Sequence, residues 1–188
     1  MEIKKIIAHE DYNRCDRTKK GNDIALLMLK QRLDSTYMPA CLAPENEDYT
    51  GRVGSTYGWG DIADTTLGAP CQGRDKRLRW NSPVLRMTTQ TIISNRKCKK
   101  STGLVYRCDP STNTSVPQRA FYDGRVFGDM ICAESPGRST CKGDSGGALT
   151  VEENGKHILV GVTSWSKGCA KVNIHCFMIR TRPSTMGI

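Results

Sequence analysis

The strongest chemical signal in this sequence is the segment Cys141-Lys142-Gly143-Asp144-Ser145-Gly146-Gly147. Glycine allows sharp turns and close approach to the main chain, so the N–H groups of Gly143 and Ser145 could point together at a developing negative charge. Ser145 would then be a nucleophile, and it would need a base elsewhere because a serine hydroxyl is weakly nucleophilic at neutral pH. Taken alone, an Asp-Ser-Gly triplet is more typical of a turn between strands than of a nucleophile.

The surrounding sequence resembles the chymotrypsin/trypsin-like serine peptidases, whose Gly-Asp-Ser-Gly-Gly signature stands intact at residues 143–147. The resemblance runs from about residue 2 to about residue 182, and the other matching segments follow the family order. These segments are residues 22–27 (NDIALL), 57–60 (YGWG), 92–98 (IISNRKC), 130–133 (MICA) and 161–165 (GVTSW). An ordered set of this kind is not expected by chance.

The resemblance implies an all-β fold, a chymotrypsin-like double antiparallel β-barrel whose first barrel is incomplete and whose second is nearly complete. Residues 1–49 would be the remnant of the N-terminal barrel and the connector between barrels, and residues 50–188 the C-terminal barrel. Together they would form one truncated peptidase domain. A length of 188 residues with 37% hydrophobic residues is compatible with this size and with a modest core.

The resemblance also implies roles for individual residues. Ser145 matches the nucleophile, the N–H groups of Gly143 and Ser145 match the oxyanion hole, and Asp23 matches the triad aspartate. The residues after Asp23 form a continuous apolar run, 24–29, which is typical of a strand buried on both faces. A turn carboxylate at the end of this strand is the structural alternative for Asp23.

The triad histidine has no match in the chain. In the family this residue is followed by cysteine and lies well upstream, whereas His9 is followed by Glu10. His157 and His175 are more typical of a surface or pocket wall than of a general base. We therefore expect the histidine to lie upstream of Met1, in a longer protein of which this chain is a truncated part.

Asp144 matches the carboxylate that switches the family between zymogen and enzyme. In active members, cleavage at an Ile/Val-Val-Gly-Gly sequence creates a new N-terminus whose ammonium pairs with this aspartate. The chain contains no such sequence. Because an unpaired buried carboxylate is costly, we expect Asp144 to swing outward and disturb the oxyanion donors. With the triad histidine missing as well, the chain is expected to be catalytically silent. Residues 183–188 also replace the terminal helix of the family.

The resemblance implies a primary specificity pocket with Ser139 at its floor. Its walls would comprise Ser164, Trp165, Ser166 and Cys176. A neutral floor argues against preference for Arg or Lys, and cysteine in place of the family glycine at 176 predicts a shallow pocket for small or medium apolar residues. Alternatively, Cys176 bonds to Cys108 or another cysteine and only reshapes the wall.

Nine cysteines without Cys-x-x-Cys pairs indicate disulfides, and therefore secretion into an oxidising compartment, rather than a zinc site. No apolar signal segment is present to match that localisation. The resemblance implies the pairs Cys98–Cys132 and Cys141–Cys169. The pairing of five others stays open, and at least one of them must be free or bonded to another chain: Cys15, Cys41, Cys71, Cys108 and Cys176. Cys41 matches the connector cysteine that bonds to an N-terminal segment.

The formal net charge is +9. Lys97, Lys99, Lys100 and the basic run at residues 74–79 could form a patch for heparin-like polyanions or acidic partners, or simply a solvated basic surface. Nothing resembles a nucleic-acid module, and no apolar run is long enough to span a membrane. No cofactor or metal is implied.

Two insertions relative to the family lie at residues 59–85 and between Cys98 and Cys132. The second holds a glycosylation acceptor, Asn113-Thr114-Ser115. Because loops on a rigid scaffold often determine specificity, both insertions are candidates for selecting macromolecular substrates or partners. The sequence thus predicts a serine endopeptidase domain for polypeptide substrates or inhibitors, inactive in this form. A non-catalytic homologue that binds partners through its long loops is the alternative.

Overall fold

The computed structural model describes residues 1–12, 21–62, 81–109, 111–112, 114–121, 125–166, 168–169 and 176–181. The strands and helix of this part, in chain order, are β1 Ile3–Ala8, β2 Ala25–Leu29, β3 Cys41–Leu42, β4 Val53–Gly58, β5 Arg86–Ile93, α1 Asn95–Lys100, β6 Thr102–Asp109, β7 Thr114–Phe121, β8 Met130–Glu134, β9 Ala148–Glu153, β10 Lys156–Ser166 and β11 Cys176–Arg180.

Six antiparallel strands close into a barrel. Their order around it is β4, β5, β8, β11, β10 and β9, and β9 pairs with β4 again to complete the circuit. Strand β3 pairs in parallel with residues 158 and 159 of β10 and forms a short edge strand. With the separate β1–β2 sheet, this architecture confirms the prediction of an all-β, chymotrypsin-like double-barrel fold. The division at residue 49 stays a prediction.

The barrel encloses an apolar core to which all its walls contribute. Leu149 and Met178 are fully buried, and Ile92, Val151 and Val160 lie beside them. The Leu149 side chain packs against a glycine of β4: a Cβ on Gly54 would lie 2.6 Å from Leu149 Cδ1. A second cluster between the barrel wall and α1 contains Cys98, Val126, Met130, Cys132 and Ile179.

Helix α1 is fixed to the barrel at both of its ends. Ser94 caps it by accepting a hydrogen bond from the N–H of Lys97 (3.2 Å). Asn95 Nδ2 donates to the carbonyl oxygens of Phe127 and Met130, at 3.0 and 3.1 Å. Near its C-terminal end, the buried Cys98 forms a disulfide with Cys132 of β8. The helix therefore has a fixed orientation despite its length of 6 residues.

Strand β2 corrects one expectation from the sequence. The apolar run at 24–29 predicted a strand buried on both faces, yet Leu27 is 56% and Met28 45% exposed. Within the described residues β2 pairs only with β1, whose six residues are all exposed. The physical reason is that no second layer covers this two-stranded sheet in the described part of the chain.

The insertion before Cys132 also differs from the loop that we expected. Much of it forms the antiparallel hairpin β6–β7, a two-stranded sheet separate from the barrel. Asn113 lies outside the described residues. Most of the other insertion, residues 63–80, also falls outside them.

Among the described residues two disulfides are formed, Cys98–Cys132 and Cys141–Cys169, and they are the pairs that the resemblance implies. Cys41 is a free, exposed thiol. Cys15 and Cys71 lie outside the described residues, and the side chains of Cys108 and Cys176 are not described. Among described side chains no group of three is arranged to hold a metal ion, and no described helix has the length and apolarity to cross a bilayer.

The packing of Leu149 yields a stability prediction. Replacing Leu149 with alanine leaves a cavity in the barrel core and should lower the free energy of unfolding by about 2–5 kcal/mol. The matched change Leu85→Ala, at a side chain that is 52% exposed, should cost less than about 1 kcal/mol. Denaturant unfolding of both variants checks this, and equal losses would contradict the placement of Leu149 in the core.

Candidate active site

The segment 141–147 forms two consecutive tight turns. The N–H of Asp144 donates to the carbonyl of Cys141 (3.1 Å), and the N–H of Gly147 donates to the carbonyl of Asp144 (2.9 Å). Gly143 and Gly146 have φ values of +98° and +84°, which side-chain-bearing residues rarely adopt. The two glycines therefore allow the chain to present Ser145 on an exposed turn.

Strand β10 links this turn to Asp23. Gly146 N–H donates to the carbonyl of Thr163 and Thr163 N–H donates to the carbonyl of Gly147, both at 2.8 Å. At the next residue, Ser164 Oγ donates to Asp23 Oδ2 at 2.6 Å. The structure thus brings the serine turn and the aspartate to adjacent residues of one strand, although they are far apart in the sequence.

A β-bulge turns Ser164 toward Asp23. In the pairing of β10 with β11, Thr163 lies opposite Met178 and Trp165 lies opposite Phe177, so that the register shifts across Ser164. A bulge bends the strand locally and redirects the side chain of the extra residue. This accounts for the hydrogen bond of Ser164 to Asp23, which lies in the chain before β2.

The sequence neighbours of Asp23 are also held by contacts with the barrel. Asn22 has a φ of +60°, and its N–H donates to Asp129 Oδ2 at 2.7 Å. Ile24, the residue after Asp23, packs against the second core cluster. The residues before and after Asp23 therefore both contact the barrel, and these contacts help to position Asp23.

The Asp144 carboxylate lies in a cradle of main-chain groups. It accepts hydrogen bonds from the N–H of Gly60 (2.7 Å, Oδ1) and of Cys141 (2.8 Å, Oδ2). A Cβ on Gly58 would lie 1.9 Å from Oδ1 and one on Gly60 2.5 Å from Cγ, so only glycine fits at either position. These residues, with Asp61 and Ser139, line a cavity of about 300 Å³.

The state of Asp144 differs from what we expected. The lack of an ammonium partner led us to expect the carboxylate to swing outward, but it stays half-buried between Gly58 and Gly60. Two amide donors supply charge-assisted hydrogen bonds that offset part of the desolvation cost. Among the described residues no cation forms an ion pair with it.

The predicted oxyanion donors are available. Within the described part of the chain the N–H groups of Gly143 and Ser145 meet no acceptor, and both residues are exposed. A Cβ on Gly143 would lie 3.1 Å from the Cα of Gly60, so this turn also packs closely on the cradle. The donors and the Asp144 cradle are thus parts of one rigid segment.

The predicted pocket residues lie on neighbouring elements. Ser139 is half-buried and its Oγ donates to the carbonyl of Thr140 at 2.9 Å. Ser166 lies opposite Cys176 in the β10–β11 pairing, and Trp165 packs partly on the second core cluster. The disulfide Cys141–Cys169 connects the start of the serine turn with the chain beyond β10.

The histidines do not complete the arrangement within the described residues. His9 Nδ1 accepts the N–H of Asp11 at 3.2 Å. His157 lies near the start of β10, roughly 23 Å along an extended strand from Ser164. His175 is outside the described residues. No described histidine is hydrogen-bonded to Asp23 or Ser145.

Two structural roles were missed in the sequence. The segment 57–60 was noted as a family match, but the role of its glycines in enclosing Asp144 was not inferred. The one available signal for that role was the pattern Gly-x-Gly after a strand. Asp129, which holds Asn22, carried no signal, because a single carboxylate before a strand is common. Both roles become apparent only from tertiary contacts.

Comparison with known proteins shows the family of the chain and its fold. Residues 1–185 match the family model described as Trypsin. Trypsin-1 of Astacus astacus is 32% identical over 176 residues, which cover 91% of this chain and 59% of that protein. The structure is similar to that of neuropsin, a serine protease expressed in the limbic system of mouse brain, with a TM-score of 0.65 and 25% identity over 95% of this chain and 66% of that one. The chain thus spans less than two thirds of the length of either relative.

The cradle of Asp144 is open to a direct test. Gly58→Ala places a methyl group on the carboxylate and should displace it from both amide donors, lowering the free energy of unfolding by at least about 2 kcal/mol. Gly128→Ala is the matched control, because no heavy atom lies within 4 Å of its Cβ position. Denaturant unfolding measures the stability of both variants. If Gly58→Ala is as stable as the control, the close packing of Gly58 against the Asp144 carboxylate is contradicted.

Proposed function

Because the chain belongs to the trypsin family of serine proteases, we propose that it is a serine endopeptidase domain in which Ser145 forms an acyl-enzyme with a peptide carbonyl. The observation that carries the proposal is the meeting of two chain segments at β10. The serine turn is hydrogen-bonded to Thr163, and Asp23 is hydrogen-bonded to Ser164. This arrangement supports Asp23 as the residue that orients the general base.

In the proposed reaction, Ser145 Oγ attacks the carbonyl carbon while its proton passes to a histidine imidazole. The N–H groups of Gly143 and Ser145 stabilise the resulting oxyanion. The imidazolium, stabilised by Asp23, returns the proton to the leaving amine as the C–N bond breaks. Water then hydrolyses the acyl ester by the same route. The imidazole would come from a histidine that is not among the described residues.

Substrate choice follows from the chemistry of Ser139. A neutral hydroxyl at the pocket floor offers no charge to an arginine or lysine side chain, so we propose small or medium apolar residues as the preferred P1 side chains. Cys176, opposite Ser166, would narrow the pocket from the wall. Polypeptides and protein inhibitors are the proposed partners.

Secretion is proposed as well. The disulfides and the trypsin-family relatives are consistent with an extracellular location. The exposed thiol of Cys41 supports a bond to a further polypeptide segment. Asn113, between two strands of an insertion hairpin, is the proposed glycosylation site.

One observation favours a second function, that of a non-catalytic homologue that binds partners. Among described residues, Asp23 Oδ2 is hydrogen-bonded to Ser164 and no histidine contacts it. A chain without its general base keeps the fold and the long insertions, and such insertions are suited to binding.

Covalent labelling separates the two functions. The natural translation product, isolated in its native form, should react with a fluorophosphonate at Ser145, because the reagent requires an activated nucleophile. Ser145→Ala should abolish the label, and Asp23→Asn should slow peptide hydrolysis by about 10⁴-fold, the magnitude associated with this triad. Mass spectrometry locates the adduct. A correctly folded product that stays unlabelled would establish the binding homologue instead.

The pocket assignment has a readout that is independent of activity. Ser139→Asp places a carboxylate where an amidinium can form a bidentate pair, so benzamidine should bind at least about tenfold more tightly than to the unaltered protein. Ser139→Asn, which is similar in shape but neutral, is the control. Calorimetric titration measures both, and unchanged affinity in the aspartate variant would show that Ser139 does not form the pocket floor.

A further inference from the structure

Helix α1 presents three cations on one face. Arg96, Lys99 and Lys100 stand at spacings of three and four residues, which bring side chains together on a helix surface. All three are exposed, and within the described part of the chain none forms an ion pair. Lys97 is different, because its Nζ pairs with Glu134 of β8. We call Arg96, Lys99 and Lys100 the α1 cation face.

The arrangement is unfavourable for the helix itself. Like charges at these spacings destabilise a helix by about 0.2–0.5 kcal/mol per pair. The helix dipole favours Lys99 and Lys100 in the last turn but opposes Arg96 in the first turn, where no acidic residue offsets it. Helix stability therefore gives no reason for an arginine at this position.

The helix tolerates this repulsion because other contacts fix it. The Cys98–Cys132 disulfide and the hydrogen bonds of Asn95 to Phe127 and Met130 hold the backbone. The backbone that carries the cation face is consequently fixed, so that binding a ligand orders only the three side chains. A preorganised set of charges binds with a smaller entropic cost than a flexible basic tail.

We propose that the α1 cation face binds a linear sulfated polysaccharide. Guanidinium and ammonium groups donate to sulfate oxygens as they do to phosphate, and the net charge of +9 favours a polyanion over the whole molecule. The disulfides indicate an oxidising compartment, where sulfated glycans rather than nucleic acids are the expected polyanions.

The composition of the helix supports this class of ligand over two others. Single-stranded nucleic acids are usually bound with aromatic side chains on which bases stack, and α1 contains none. Membrane-surface helices insert an apolar face, whereas the apolar residue of α1, Cys98, is buried against the barrel. A purely ionic face suits a ligand that is charged throughout its length.

The test measures binding of a heparin oligosaccharide by calorimetry at several salt concentrations. Arg96→Gln/Lys99→Gln/Lys100→Gln should weaken binding at least tenfold and reduce the slope of log K against log salt by about two to three, one ionic contact per cation. Lys4→Gln/Lys5→Gln/Arg32→Gln is the matched control. It removes three exposed cations from β1 and the chain after β2 and should change affinity less than twofold.

Other measurements complete the test. Arg96→Lys/Lys99→Arg/Lys100→Arg should keep most of the affinity, because the three positive charges are retained; a circular-dichroism spectrum like that of the unaltered protein checks that the glutamine triple is folded. Equal weakening by both glutamine triples would overturn the proposal, because it would assign binding to net charge alone. So would equal affinity for an oligothymidine of the same charge or for anionic vesicles. Ser145→Ala should bind heparin normally, so this result is independent of the proposed peptidase activity.

Discussion

Strand β10 must hydrogen-bond along both of its edges if the barrel is to close, and the candidate site depends on that requirement. It pairs with β9 on one side and β11 on the other. Close approach of β11 favours a glycine, because a Cβ on Gly161 would lie 3.1 Å from the Cβ of Met178. Farther along, the bulge at Ser164 releases one residue from the ladder and lets it bond to Asp23. Strand β10 therefore both closes the barrel and positions Ser164 to hydrogen-bond with Asp23.

In the Asp144 cradle, hydrogen bonds from main-chain amides take the place of an ion pair in stabilising the carboxylate. Amide N–H groups carry partial positive charge, and two of them, from Gly60 and Cys141, point at the carboxylate. They also connect the serine turn to the end of β4, because Gly60 follows that strand. The cavity of about 300 Å³ beside Asp144 leaves room for a further group at the same carboxylate. The turn conformation and the state of Asp144 are thus coupled through the same hydrogen bonds.

Much of the fold could be predicted from the sequence, because its signals are local. The glycines at 143 and 146 indicate a turn from their own backbone freedom, and the apolar residues of β8 and β9 indicate buried strands. The disulfide pairs followed from the resemblance. The bulge at Ser164, the Asn22–Asp129 hydrogen bond and the exposure of β2 could not be predicted, since each depends on which distant residues come together in space. The site residues were identified as single positions, whereas their connections needed the structure.

The exposed β1–β2 sheet does not by itself explain what holds Asp23 in place. An isolated two-stranded sheet is marginally stable in water, so this sheet alone cannot position a functional carboxylate. Among the described residues, three contacts from the barrel side do so: Asp129 binds the N–H of Asn22, Ser164 binds the carboxylate, and the second core cluster packs on Ile24. From the β1 side, the N–H of His9 donates to the carbonyl of Ile24 at 3.0 Å. Asp23 precedes β2 in the sequence, but the hydrogen bond to its carboxylate comes from the barrel. Its position should therefore be preserved even when β1 and β2 fluctuate, because the barrel contacts that fix it do not pass through those strands.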